Sequence, residues 1–130
     1  MPVVALVVDD SMVIRHTVCR FLEERGFVVE AASNGVEALD ILKRVKPGLV
    51  ITDMQMPSMG GSEFISALKD KRETQDIPIV ILTGRSSGFD RGETRAEFTI
   101  FKDIDIQEQL EKALSLVLGG SAKRAQASGK

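Results

Sequence analysis

Residues 3–11 read Val3-Val4-Ala5-Leu6-Val7-Val8-Asp9-Asp10-Ser11. The first six are apolar without alternation, the pattern of a strand covered on both faces in a parallel sheet. Two aspartates stop the run, and Ser11 stands where a helix N-cap belongs. Beyond it Met12, Ile14, Val18, Phe21 and Leu22 recur at near-helical spacing up to Arg25, and Gly26 ends that helix.

The same alternation continues along the chain. Phe27–Ala32 reads as a second strand. Val36, Leu39, Leu42 and Val45 give a second amphipathic helix, stopped by Pro47-Gly48. Leu49–Thr52 is the third strand, followed by the turn-rich Met56-Pro57-Ser58-Met59-Gly60-Gly61. Ser62–Arg72 carries Phe64, Ile65 and Leu68 on one side of a third helix. Ile77–Leu82 is a fourth strand, with Pro78 near its start, where proline is tolerated. Phe98–Phe101 is a short fifth strand. Ile106, Leu110, Ala113, Leu114, Val117 and Leu118 line a final helix, closed by Gly119-Gly120. Strands alternating with helices pair in parallel through right-handed crossovers. Five such units predict a three-layer, doubly wound, flavodoxin-like α/β fold with a parallel sheet in the order 2-1-3-4-5.

One crossover is thin. Residues 84–96 hold Gly84, Gly88 and Gly92, with Phe89 the only sizeable apolar side chain. Each glycine weakens a helix by about 1 kcal/mol, so the helix between strands four and five is expected to be short or absent. The sheet left bare there would be open to a homodimer contact or to a partner. Residues 1–118 form one expected domain. Residues 119–130 lack apolar periodicity and are read as a flexible tail or the start of a linker.

The 130 residues suit a single domain, and 43% hydrophobic with 28% charged residues is an ordinary globular balance. A net charge of −2 argues against nucleic acid as a main partner. Cys19 has no second cysteine to bridge, which fits a reducing compartment. The apolar start is too short for a signal peptide or a membrane span, so the expected setting is cytoplasmic, without a membrane partner.

The reactive side chains fall at strand ends. Asp9 and Asp10 follow strand one, Asp53 strand three, Thr83 strand four and Lys102 strand five. Open α/β sheets bind ligands at these carboxyl ends. Strands one and three are neighbours in the expected order, about 4.8 Å apart, so their carboxylates converge. Crowded carboxylates repel unless a cation intervenes, and Mg²⁺ suits an open oxygen cluster of this kind. Lys102 and Thr83 can take the remaining oxygens of a phosphoryl group set beside the metal. Asp53, alone at the central strand's end, is then the best nucleophile, while Asp9 and Asp10 hold the ion.

With these residues in place, the sequence resembles the response-regulator receiver family of two-component systems, in its single-domain, chemotaxis-regulator-like form. The matching residues are Val8-Asp9-Asp10-Ser11, Arg15, Ile51-Thr52-Asp53-Met54-Gln55-Met56-Pro57, Gly60-Gly61, Leu82-Thr83-Gly84 and Phe101-Lys102. The resemblance implies that a histidine kinase or a phosphotransfer protein phosphorylates Asp53. It implies Mg²⁺ held by Asp10 directly, by Asp9 mostly through water, by Asp53 and by the main-chain carbonyl of Gln55. Thr83 and Lys102 would sense the phosphoryl oxygens, and Gln55 and Arg85 would tune the lifetime of the phosphorylated state. The downstream target would be another protein. Such a chain is no enzyme beyond its own phosphorylation and dephosphorylation.

The chain departs from that pattern after strand four. Asp103 follows Lys102 where the family usually has proline in a cis peptide, so a trans bond and a displaced lysine are expected. Thr99 holds the family's aromatic switch position, with Phe98 and Phe101 off register. These departures, with the thin crossover, keep open an alternative function: a degenerate receiver acting as a phosphorylation-independent interaction or dimerisation module. An aspartyl-phosphate phosphatase would carry a second acid where Gln55 stands, and a flavin site would have its phosphate repelled by Asp9-Asp10. His16 reads as a helix surface residue and Cys19 as a small buried hydrophobe. Met54, Met56 and Met59 suit either a partner surface or loop packing, and Lys69, Lys71 and Arg72 a solvated helix end.

Overall fold

The computed structural model describes residues 3–56, 58–84, 96–102 and 105–117. Nine elements follow in order: β1 (Val4–Val8), α1 (Met12–Glu24), β2 (Val28–Ala32), α2 (Gly35–Leu42), β3 (Leu49–Asp53), α3 (Gly61–Lys69), β4 (Ile79–Thr83), β5 (Phe98–Phe101) and α4 (Ile106–Val117). The strands form one parallel sheet in the order β2-β1-β3-β4-β5, as the alternation predicts.

The central strands bury both faces. Leu6, Val8, Val50, Ile79 and Ile81 pack toward α2 and α3, against Ile41, Phe64, Ile65 and Leu68. Their alternates Ala5, Val7, Leu49, Ile51, Val80 and Leu82 pack toward α1 and α4, against Val18, Phe21, Leu22 and Leu110. Each of these strand side chains is fully buried. At about 25 cal/mol per Å² of apolar surface removed from water, burial on two faces is the main force holding three layers together. Among the described residues, no helix is long and apolar enough to cross a membrane.

Local chemistry sets the boundaries. Ser11 Oγ accepts from the Ile14 amide, and Asn34 Oδ1 accepts from the Glu37 amide, so both helices start at side-chain caps. Gly26 closes α1 at φ +89°, a left-handed conformation that a side chain would strain. Helix α2 stops at Leu42, short of the expected Val45. The chain tightens over Lys43 and Arg44, whose amides donate to carbonyls three residues back, and Val45 still reaches the core. Helix α3 stops at Lys69, short of the expected Arg72, because the buried Thr74 hydroxyl turns back to the Leu68 carbonyl. Strand β4 begins at Ile79, after Pro78, which contributes only its carbonyl to the ladder, accepting from Val50 N.

The expected loss of the crossover helix concerns residues 85–95, and the expected tail residues 119–130. Both lie outside the described residues.

Helix α3 starts hard against the end of β3. Gly61 N donates to Met54 O, and a Cβ on Gly61 would collide with the Asp53 main-chain oxygen and lie 2.7 Å from Met54 Cα. Neither obstacle is a flexible side chain. Gly61→Ala is therefore expected to lose about 1–3 kcal/mol of stability, read from the midpoint of a urea titration.

Candidate functional site

The register of the sheet lines up the strand ends. Val8 pairs with Thr52, Asp53 with Leu82, and Thr83 with Phe101, so the residues closing four strands lie side by side. Asp9 extends β1 by one bond, its amide donating to Ala32 O at 3.1 Å. Its side chain is fully buried, and Oδ1 accepts from the Ser11 amide at 2.8 Å. Arg15 Nη1 donates to the Asp9 carbonyl at 2.8 Å, tying the first turn of α1 to the same residue. Asp10, by contrast, is exposed.

Asp53 is the last residue of β3 and only 4% exposed. The Gln55 amide donates to its Oδ1 at 3.3 Å, and Lys102 Nζ stands 3.1 Å from the same oxygen. Lys102 Nζ also lies 2.8 Å from Asp9 Oδ2. One ammonium thus bridges the ends of β1 and β3 from beyond β5. Asp9 Oδ2 is buried and accepts no aligned hydrogen bond among the described residues, so its contact with Lys102 is an ion pair. Thr83, buried at the end of β4, turns its hydroxyl toward Gly84 O at 3.4 Å. The Lys102 amide donates to Thr83 O at 2.8 Å, carrying the β4–β5 ladder one residue further.

Electrostatics follow from this crowding. Burial, then the nearby Asp9 charge, raises the Asp53 pKa above the ordinary carboxylate value, although Lys102 and the Gln55 amide oppose the rise. Burial alone would push the Lys102 ammonium down, but Asp9 and Asp53 outweigh it, and the pKa is raised. Asp9, Asp10 and Asp53 each offer a carboxylate oxygen, all within 4.8 Å of one another. Three oxygen donors, one of them buried with no aligned donor facing it, fit a small hard cation such as Mg²⁺.

Residues 5–114 match the sequence profile of the response regulator receiver domain. The chain belongs to this family. It is 41% identical over 91 residues to the response regulator Rre1 of a Synechocystis strain, an alignment covering 69% of this chain and 39% of that protein. It is 41% identical over 123 residues to the response regulator MprA of a Mycobacterium strain, covering 90% of this chain and 51% of the relative. The chain thus spans about half the length, or less, of these relatives. In structure it resembles the chemotaxis response regulator CheY4 of Vibrio cholerae, with a TM-score of 0.80 and 32% identity, covering 91% of this chain and all of that one. Receiver domains of this family act in two-component signalling and carry an acidic pocket for Mg²⁺.

Asp9, Asp10, Asp53, Thr83 and Lys102 therefore meet at one edge of the receiver, as their places in the sequence predict. The displaced lysine expected from Asp103 is a correction. Lys102 stays in the site, because its backbone is held by Thr83 and its ammonium by two carboxylates. The geometry of the Lys102–Asp103 peptide falls outside the described residues, as does Arg85. Gln55 is exposed, tethered through its amide to Asp53. Thr99 lies half-buried in β5 opposite Ile81, and alternation puts it on the face opposite Phe98 and Ile100, which pack toward α1 and α4. Met54 is buried, while Met56 and Met59 pack partly buried on the α2–α3 core, which favours the loop-packing reading. His16 is exposed on α1, and Cys19 is a half-buried free thiol whose pKa burial and the nearby Glu23 charge raise.

One residue of this edge has no counterpart in the sequence reading. Gln109 of α4 hydrogen-bonds both main-chain groups of Phe101, the residue before Lys102. Its only signal was a polar residue next to the buried Leu110 on an otherwise amphipathic helix.

A carboxyl whose folded pKa is raised adds stability below its unfolded value of 3.8, and that contribution is lost as pH rises through the folded pKa. Without divalent ions at pH 7, Asp53→Asn is therefore expected to melt a few degrees above the parent chain. The gap should close as the pH approaches 4. Thermal melts followed by circular dichroism check this, since the chain lacks Trp and Tyr for fluorescence.

Proposed function

We propose that this receiver accepts a phosphoryl group on Asp53 and passes on its phosphorylation state through protein contacts. The observation that carries the reading is the Lys102 ammonium held between Asp9 Oδ2 and Asp53 Oδ1, beside three converging carboxylates. Lys102 in this position also favours an active receiver over a degenerate one.

Asp9, Asp10 and Asp53, with the carbonyl of Gln55, would hold Mg²⁺. The ion's contribution when bound is charge neutralisation among the carboxylates and at the incoming phosphoryl oxygens. The chain's own residues do the rest. Among the described residues, the hydrogen bond and ion pair on Asp53 both fall on Oδ1, which leaves Oδ2 open to an incoming phosphorus. An Asp53 oxygen forms the new P–O bond as the donor's P–N bond to a histidine breaks, and the freed imidazole takes a proton. Lys102, already charged, and the Thr83 hydroxyl receive phosphoryl oxygens. Transfer of this kind depends mainly on placement and charge, and these residues sit on strand ends that a fully buried sheet holds in place.

The phosphoryl donor would be a histidine kinase or a phosphotransfer protein, and the recipient of the signal another protein. By the family resemblance, Gln55 and Arg85 would tune the lifetime of the phosphorylated state. The chain acts catalytically only on itself.

Intact-mass spectrometry after incubation with acetyl phosphate and Mg²⁺ tests the proposal. A single phosphate adduct is expected for the parent chain and none for Asp53→Asn or for samples treated with EDTA. An adduct that survives in Asp53→Asn would place the phosphate elsewhere. No adduct on a folded parent chain, with beryllofluoride also failing to bind, would favour the contact-only module.

A further inference from the structure

Among the described residues, strand β5 lies at the edge of the sheet, and one side of its backbone faces no strand. The Lys102 amide faces inward, donating to Thr83 O. Backbone groups of successive strand residues point to opposite sides, so Phe101 turns both its N–H and its C=O to the open edge. The Gln109 carboxamide takes both groups at once. Phe101 N donates to Gln109 Oε1 at 2.9 Å, and Gln109 Nε2 donates to Phe101 O at 2.8 Å. The same Nε2 reaches Asp105 O at 3.2 Å, at the start of α4. Gln109 thus extends the sheet by one residue's worth of ladder at the point where the chain leaves β5 for the site lysine.

We infer that Gln109 is the positioning residue for Lys102: its two-point clamp on Phe101 fixes the backbone from which the ammonium reaches Asp9 and Asp53. The pairing needs one donor and one acceptor in a planar group at this length. Glutamate offers two acceptors and would face the Phe101 carbonyl with like charge, and leucine offers neither. With the clamp gone, Phe101 exchanges with water at the edge, Lys102 is held on the Thr83 side alone, and its long side chain regains freedom. The phosphorylation arm of the test rests on the proposed function above, whereas the arm that observes Lys102 does not.

The test compares the full chain with Gln109→Leu and Gln109→Glu, and Lys102→Arg assigns the lysine signal. In the parent chain, ¹⁵N-detected lysine spectra should show a protected Lys102 ammonium, held by two carboxylates. Both variants should lose that protection. Phosphate uptake from acetyl phosphate should slow about tenfold or more, the scale expected when a reacting group is misplaced by an ångström or less. Mg²⁺ should still bind, because the three carboxylates keep their places, and the freed Lys102 no longer competes with the ion for Asp9 and Asp53. A merely structural role, docking α4 on the sheet, would lower the melting temperature and leave the Lys102 signal intact. That signal unchanged in both variants overturns the inference, whatever happens to stability. Should Gln109→Leu fail to fold, Gln109→Glu, polar and of equal length, carries the same readout. A parent chain that shows the Gln109-dependent Lys102 signal yet takes no phosphate contradicts the proposed function and leaves the clamp standing.

Discussion

The site is organised around one ammonium set between two carboxylates. Lys102 follows the edge strand β5, Asp9 follows β1 and Asp53 ends the central strand β3, so the ion pairs tie the edge to the middle. Asp9 cannot retreat into water, since it is fully buried with its second oxygen bound to the Ser11 amide. Two acids brought this close out of solvent repel, and the Asp53 pKa is raised first by its burial and then by the Asp9 charge. The lysine offsets it in part. The unsatisfied remainder makes the edge receptive to a small cation and then to an anionic group.

The fold serves this arrangement by keeping the strand ends still. Side chains buried on both faces leave β1, β3 and β4 no freedom to slide, because a shift of one residue would exchange one apolar layer for the other. The loops on the site side are anchored where they start. Arg15 holds the Asp9 carbonyl, and Gly61 brings the start of α3 against Asp53 and Met54 at a spacing that excludes any side chain. The edge strand β5 is the weak member, short and partly exposed, and there α4 supplies Gln109 in place of a neighbouring strand.

Most of the fold was legible in the sequence because both of its signals were strong. Short runs rich in Val and Ile, such as Val3–Val8 and Leu49–Thr52, suit strands covered on two faces better than buried helices, and each is followed by a helix-period segment. Helix ends were less legible. Val45 and Arg72 fit the helical spacing but lie past the true ends, which a tight turn and the Thr74–Leu68 bond decide. The acids, Thr83 and Lys102 could be placed at one edge from topology alone. The position of the lysine could not. Asp103 suggested displacement, but the bonds that hold Lys102 come from Thr83, from the acids and, through Phe101, from a glutamine seven residues later, contacts that pattern does not encode.

The central claim is that Asp9, Asp10 and Asp53 form one cation site whose repulsion Lys102 only partly offsets. A calorimetric titration of Mg²⁺ into the chain at neutral pH tests it most directly, with Asp9→Asn and Asp53→Asn beside the parent. The account predicts one ion per parent chain and markedly weaker binding in each variant. Absence of binding to a folded parent chain, or binding that neither substitution weakens, would contradict it.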